Sequence, residues 1–169
     1  MDYLLLIDSP NCQRCQRLFL DHEEKIITAF GSKTKHQAWK GGFKDHTEET
    51  MTFAFDLYEM YKEKRKYQFT LSDALLTLFL HDLEKPFKYT GARNDLNTDE
   101  DKWKFLQEMV SGYKLELTPQ HWNALRYVHG EGDDYHPTKR IQGELAGFIH
   151  VCDTLSARVF HSEPRLSAG

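Results

Sequence analysis

The sequence predicts an all-α domain, a bundle of about six helices, on three observations. Segments whose apolar residues recur every three or four positions dominate the chain. Hydroxyl residues stand where such segments begin, twice directly before a proline, at Ser9-Pro10 and Thr118-Pro119. Runs with the two-residue alternation of half-buried strands are nearly absent. At 169 residues the chain fits one domain over 1–169, with an N-terminal helical region at 1–34 and a core at 35–160.

The elements follow in order. Ser9 supplies a capping hydroxyl and Pro10 the first helical position of an amphipathic run that ends near Gly31. Lys40-Gly41-Gly42 is a loop, and a helical pattern runs from Asp45 to Lys66. Thr70 or Ser72 caps the next helix, Leu71 to Leu83, which is apolar almost all round and therefore belongs at the centre of the bundle. Pro86 stops it, and the polar stretch to Thr98 reads as loop. Thr98 caps a helix ending at Gly112, and Thr118 one ending at Gly130. Glu131 to Thr138 is a Gly/Asp-rich loop. The last helix puts Leu145, Phe148, Cys152, Leu155 and Val159 on its apolar face.

Composition narrows the function. Hydrophobic residues at 40% and charged residues at 28% are ordinary for a soluble globular protein. The apolar opening, Tyr3 to Ile7, is too short to span a bilayer and lacks the flanks of a signal peptide. The expectation is a cytoplasmic protein without a membrane partner. A net charge of −4 argues against a nucleic-acid partner, because the only dense basic run, Lys62 to Lys66, suits a solvated helix end. Three cysteines make a disulfide framework improbable. Cys12 and Cys15 form a C-x-x-C pair with no second pair to complete a zinc ribbon, so core packing is the expectation over redox or metal chemistry.

Histidine is the unusual component, with nine residues. His81-Asp82 ends the most apolar helix, and burying such a pair is costly unless it is partnered or binds a metal. Along a continuing helix the two would point about 100° apart, so only a helix end lets them converge. His46 follows two glycines that allow close backbone approach, and Asp153 lies among apolar residues with no basic residue one turn before it. Three separate helices each offer a ligand-type residue in an awkward place.

The order His46 … His81-Asp82 … Asp153 resembles the H…HD…D signature of the HD-domain superfamily of metal-dependent phosphohydrolases. His36-Gln37-Ala38-Trp39-Lys40-Gly41-Gly42-Phe43-Lys44-Asp45-His46 resembles the stretch before the first metal histidine in one branch, H-x-A-[aromatic]-x-G-G-L-x-x-H. His81-Asp82-Leu83-Glu84-Lys85-Pro86 resembles H-D-[IL]-G-K-[PI], and Tyr127-Val128-His129-Gly130 resembles I-x-x-H-H-G. Ile149 to Ala157 resembles the helix ending A-D-x-L-[SD]-A. The likeness runs from Lys35 to Val159 in the family's order. Two departures stand out: Glu84 replaces a glycine, and Val128 replaces the first histidine of a pair.

The resemblance implies a divalent metal held by His46, His81, Asp82 and Asp153. That donor set suits Mn²⁺, Fe²⁺, Co²⁺, Ni²⁺, Zn²⁺ or Mg²⁺. It implies hydrolysis of a phosphate ester or anhydride by metal-activated water, with Asp82 orienting the nucleophile, His129 protonating the leaving oxygen and Glu84 able to act on water. Lys85 resembles the lysine that meets substrate phosphate. His36 and Lys40 are candidate substrate contacts, and Trp39 a candidate platform for a nucleobase. His129 and His136 are candidate ligands of a second metal. His22, His121 and His161 are assigned to the surface, and Trp103 and Trp122 to the core. The implied substrate is a small nucleotide, a deoxynucleoside triphosphate or monophosphate, with a homo-oligomer allowed. Alternatives are a 3′–5′ exonuclease, a diiron oxygenase, which Val128 counts against and His136 keeps open, and a metal-binding regulatory domain.

Overall fold

In a computed structural model, which describes residues 1–160, eight α-helical segments build a main apolar core and a small second cluster of Ile26, Ala29 and Phe43. They are α1 (Asn11–Asp21), α2 (Glu23–Thr28), α3 (Gly42–Tyr61), α4 (Leu71–Leu80), α5 (Glu84–Tyr89), α6 (Asp99–Gly112), α7 (Pro119–Tyr127) and α8 (Glu144–Thr154). A 3-10 turn (Asp2–Leu6) precedes α1, and a π-helical turn (Leu155–Val159) continues α8. No strand is present among the described residues; His136 and Lys139 form a single isolated bridge. No helix among them is long and apolar enough to cross a membrane.

α4 is the axis, and every residue from Ala74 to Leu80 is buried. Around it pack α3, α7, α8, α1 and the Asp2–Leu6 turn. Helices hydrophobic on all sides can satisfy that pattern only in such a position. Three capping boxes set the helix starts: Thr70 with Asp73, Thr98 with Asp101, and Thr118 with His121.

Four expectations need correction. The first long helix is two, because the chain breaks from helical geometry at His22 (φ −125°). The half-buried His22 ring meets Phe87 edge-on, and its Nε2 lies 3.1 Å from the Tyr113 hydroxyl. A further helix, α5, occupies the stretch read as loop: Pro86 is its third residue, where a missing N–H removes no helical hydrogen bond. At the start of α1 the cap is Pro10 rather than Ser9, whose hydroxyl accepts from Gln13 instead. Finally, His121 is buried, not at the surface, because its ring serves as the capping-box acceptor and its Nε2 pairs with Asp73 at 2.9 Å. Cys15 and Cys152 are buried thiols that burial pushes up to about 12, and Cys12 is half-buried; none is in a disulfide. His161 lies outside the described residues.

Candidate metal centre and its cavities

His81 is the C-cap of α4, and the chain turns immediately after it. The turn brings Asp82 and His81 to the same interior, as a helix end must for adjacent residues to converge. His46 comes from the second turn of α3 and Asp153 from the last turn of α8. All four side chains are buried. His46 Nε2 lies 3.3 Å from His81 Nε2, 3.2 Å from Asp153 Oδ1 and 3.6 Å from Asp82 Oδ2. His81 Nε2 lies 3.4 Å from Asp82 Oδ2 and 3.8 Å from Asp153 Oδ1. His46, His81 and Asp153 form a group whose ligand atoms all fall within 4.8 Å of one another. Asp82 Oδ2 faces the same point but is also engaged by the Lys85 ammonium.

Hydrogen accounting tests whether a cation belongs there. Ser156 donates its hydroxyl hydrogen to Glu49 Oε2 at 2.6 Å, so toward His46 Nδ1, 2.9 Å away, its oxygen can only accept. His46 therefore carries its hydrogen on Nδ1 and turns the Nε2 lone pair inward. His81 Nδ1 donates to the Leu78 carbonyl at 2.6 Å, so its Nε2 also faces inward. Two imidazole nitrogens and two carboxylate oxygens thus meet with no donor of their own, apart from a proton on one ring. Ligands about 2.1 Å from a common ion stand about 3.0–3.4 Å apart, close to the spacings found. The residues fit a divalent metal ion.

The electrostatics agree. Burial lowers His46 to about 4, although the nearby Asp153 carboxylate works in the opposite direction. Burial would lower His81 too, but the Asp82 charge and Asp153 outweigh it and raise it to about 9. Burial opposes ionisation of Asp153, yet His46 and His81 hold it well below the usual carboxylate range. Asp82 is held low in the same way by Lys85 and His81. Two carboxylates are thus held ionised beside two imidazole rings, a donor set that suits a cation, with the His81 proton and the Lys85 ammonium balancing their charge when no ion is bound.

A network behind His46 fixes its orientation. The amide of buried Gln37 donates to Ser156 Oγ (3.1 Å) and Glu49 Oε2 (3.2 Å), and its carbonyl oxygen lies 2.8 Å from His36 Nδ1. The backbone at Gln37 has φ 40° and passes so close to Gly42 that a Cβ there would lie 1.9 Å from the Gln37 carbonyl oxygen. Gly42 is therefore required for Gln37 to reach the site. Ser156 lies in the helix-end motif, and Glu49 one turn after His46 on the same face of α3, which is the signal that identifies both. Val128, where the resemblance departs from a histidine, is buried in the core, and its carbonyl accepts from His150 Nδ1.

Two cavities flank the cluster. One, about 540 Å³, is lined by Lys35, His36, Lys85, His129, His150 and Arg158 around a single carboxylate, Asp153, with Thr154 and Ala157 completing the wall. The other, about 640 Å³, presents Glu84, Asp99 and Glu100 beside Lys102 and Trp103, and reaches His81, Asp82 and His129. His129 lines both; its side chain is 64% exposed, with Nε2 3.7 Å from Asp153 Oδ2. Glu84 lies in the second cavity, where burial and the Asp82 charge raise it to about 7. Lys85 and His36 line the first. Trp39 donates to Asp45 at 2.7 Å, and neither it nor exposed Lys40 lines either cavity. His136 lies in the exposed loop after α7, bonded to Thr138, outside the ligand group. Lys35 in the first cavity and Asp99, Glu100 and Lys102 in the second are among the lining residues that the sequence did not single out, while His150 and Arg158 stood out only as neighbours of Asp153 along the chain.

No family model, no curated protein and no solved structure matches the chain. The helical fold and the buried His46–His81–Asp153 cluster are compatible with an HD-type site.

Proposed function

We propose that the protein is a metal-dependent phosphohydrolase acting on a nucleotide, with a deoxynucleotide as the favoured substrate. The supporting observation is a buried His/His/Asp cluster, with Asp82 against it, opening onto a cavity lined by cationic and imidazole side chains. His46, His81 and Asp153 would hold the ion, with Asp82 as fourth ligand. When bound, such an ion neutralises phosphoryl charge and lowers the pKa of its water.

The chain's own groups do the rest. Lys85 holds a phosphoryl oxygen, a role supported by its position in the cavity wall. Asp82 accepts a hydrogen bond from the attacking water and so aims its lone pair at phosphorus. His129, at the rim shared by both cavities, gives a proton to the leaving oxygen. Glu84 accepts from a hydroxyl of the sugar. A second metal has no ligand set of the same kind among the described residues, which weighs against the diiron oxygenase reading.

The test is direct. The metal-stripped chain is incubated with nucleoside mono- and triphosphates plus Mn²⁺, Co²⁺ or Mg²⁺, and products are separated by chromatography. Metal-dependent phosphate or triphosphate release, lost in Asp82→Ala, is the expected result. Survival of every nucleotide with metal demonstrably bound would exclude the reading.

A further inference from the structure

The two cavities differ in charge, and that difference bears on how many phosphates the substrate carries. In the cavity over Asp153, Lys85 is already paired with Asp82. Lys35, from the loop before α3, and Arg158, from the π-helical turn after α8, have no acidic partner in the described residues. Neither helix propensity nor core packing requires two cations from distant segments, each without an acidic partner among the described residues, to share one cavity. His36 and His150 commit their Nδ1 atoms to Gln37 and to the Val128 carbonyl, which leaves each Nε2 for a cavity occupant. One phosphoryl group at the metal centre is served by the ion and Lys85 alone. Lys35 and Arg158 answer further negative charge. The opposite cavity repels it, because Glu84, Glu100 and Glu131 line that wall while its two cations, Lys102 and Arg126, are paired with Asp99 and Asp134.

We infer that the cavity over Asp153 is an oligophosphate site, and that the substrate is a nucleoside triphosphate whose phosphate chain lies along Lys85, Lys35 and Arg158. Its sugar and base then occupy the acidic cavity beside Trp103. A polynucleotide fits poorly, since its next phosphate would have to enter that acidic cavity. The oligophosphate site stands on the charge distribution alone; naming the nucleoside rests on the phosphohydrolase reading.

The experiment titrates inorganic phosphate and tripolyphosphate into the full chain by calorimetry. The titrations are run on the metal-stripped protein, so that chelation of an ion by tripolyphosphate is not read as binding. Tripolyphosphate is expected to bind about 30-fold tighter than phosphate, a gap that shrinks at high salt. In the double variant Lys35→Gln/Arg158→Gln, both exposed positions, that gap closes while phosphate binding persists. Equal affinities in the wild-type chain, or a gap that survives in the double variant, overturn the site. Hydrolysis of tri- and monophosphates separates the two ideas. A tripolyphosphate preference with no nucleotide turned over keeps the site and removes the hydrolase reading. Turnover favouring monophosphates, with no tripolyphosphate preference, removes the site alone.

Discussion

Ser156 lines neither of the two cavities yet decides which nitrogen of His46 carries hydrogen. Its hydroxyl is committed to Glu49, so His46 must donate from Nδ1 and keep Nε2 for a ligand role. Losing such a support beneath a metal-binding histidine typically weakens metal affinity about 10–100-fold. Ser156→Ala is therefore expected to bind Co²⁺ or Mn²⁺ that much more weakly in competition titrations, with its helical circular dichroism intact. Unchanged affinity would remove Ser156 from the positioning role. A second residue-scale pair acts on stability. The His121 hydrogen bond holds Asp73 down to about 2. A carboxyl whose folded pKa is depressed adds stability that is present above its ordinary pKa and lost as pH falls toward the folded value. The gap in urea stability between the wild-type chain and Asp73→Asn should thus be open at pH 6 and narrow between pH 4 and 2. A constant gap would deny this hydrogen bond its contribution.

At the scale of elements, α4 does two jobs. Its apolar surface is the centre of the core, and its C-terminal end presents His81 and then Asp82. Leu78, fully buried there, is one turn before His81 and supplies the carbonyl that orients the ring. Leu78→Ala is expected to cost about 2–5 kcal/mol of unfolding free energy in denaturant titrations. A cost below about 1 kcal/mol would mean that α4 is not the packed axis described here. α6 depends on the Thr98 capping box, whose loss in Thr98→Ala should cost about 1 kcal/mol. Both losses belong to helix-scale terms that the sequence displays openly: apolar residues on every side, and a hydroxyl followed three residues later by a carboxylate.

For the whole molecule, the cluster joins α3, α4 and α8, three helices that share the core. An ion bound there ties them together only in the native state. At 100 times its dissociation constant it adds about 2.7 kcal/mol. For a domain of this size each kcal/mol raises Tm by roughly 2–4 °C. Thermal unfolding should therefore shift up by about 5–10 °C with the preferred metal, and not at all in His81→Ala. A chain indifferent to Mn²⁺, Co²⁺, Zn²⁺ and Mg²⁺ alike would argue that the cluster is held by the His81 proton rather than by an ion.

Local chemistry was enough to read the all-α class, the buried character of α4, the caps at Thr98 and Thr118 and the choice of Thr70 or Ser72 for a third, while the quartet His46, His81, Asp82 and Asp153 came together only through the family resemblance. Periodicity, capping and the cost of burying charge act within a few residues, so the sequence carries them directly. The break at His22 and the helix begun at Glu84 were not legible, since a ring packed against Phe87 and a proline in a first turn look in sequence like continuation and stop. Burial of His121 depended on Asp73, which lies 48 positions away. The chain order likewise gave no sign that Lys35 and Arg158 face one cavity, or that Trp39 is tied to Asp45 and lines neither. Tertiary structure alone decides such pairings, because charge and hydrogen bonding act through space, and only the packing of α3, α4 and α8 determines which distant groups come within their reach.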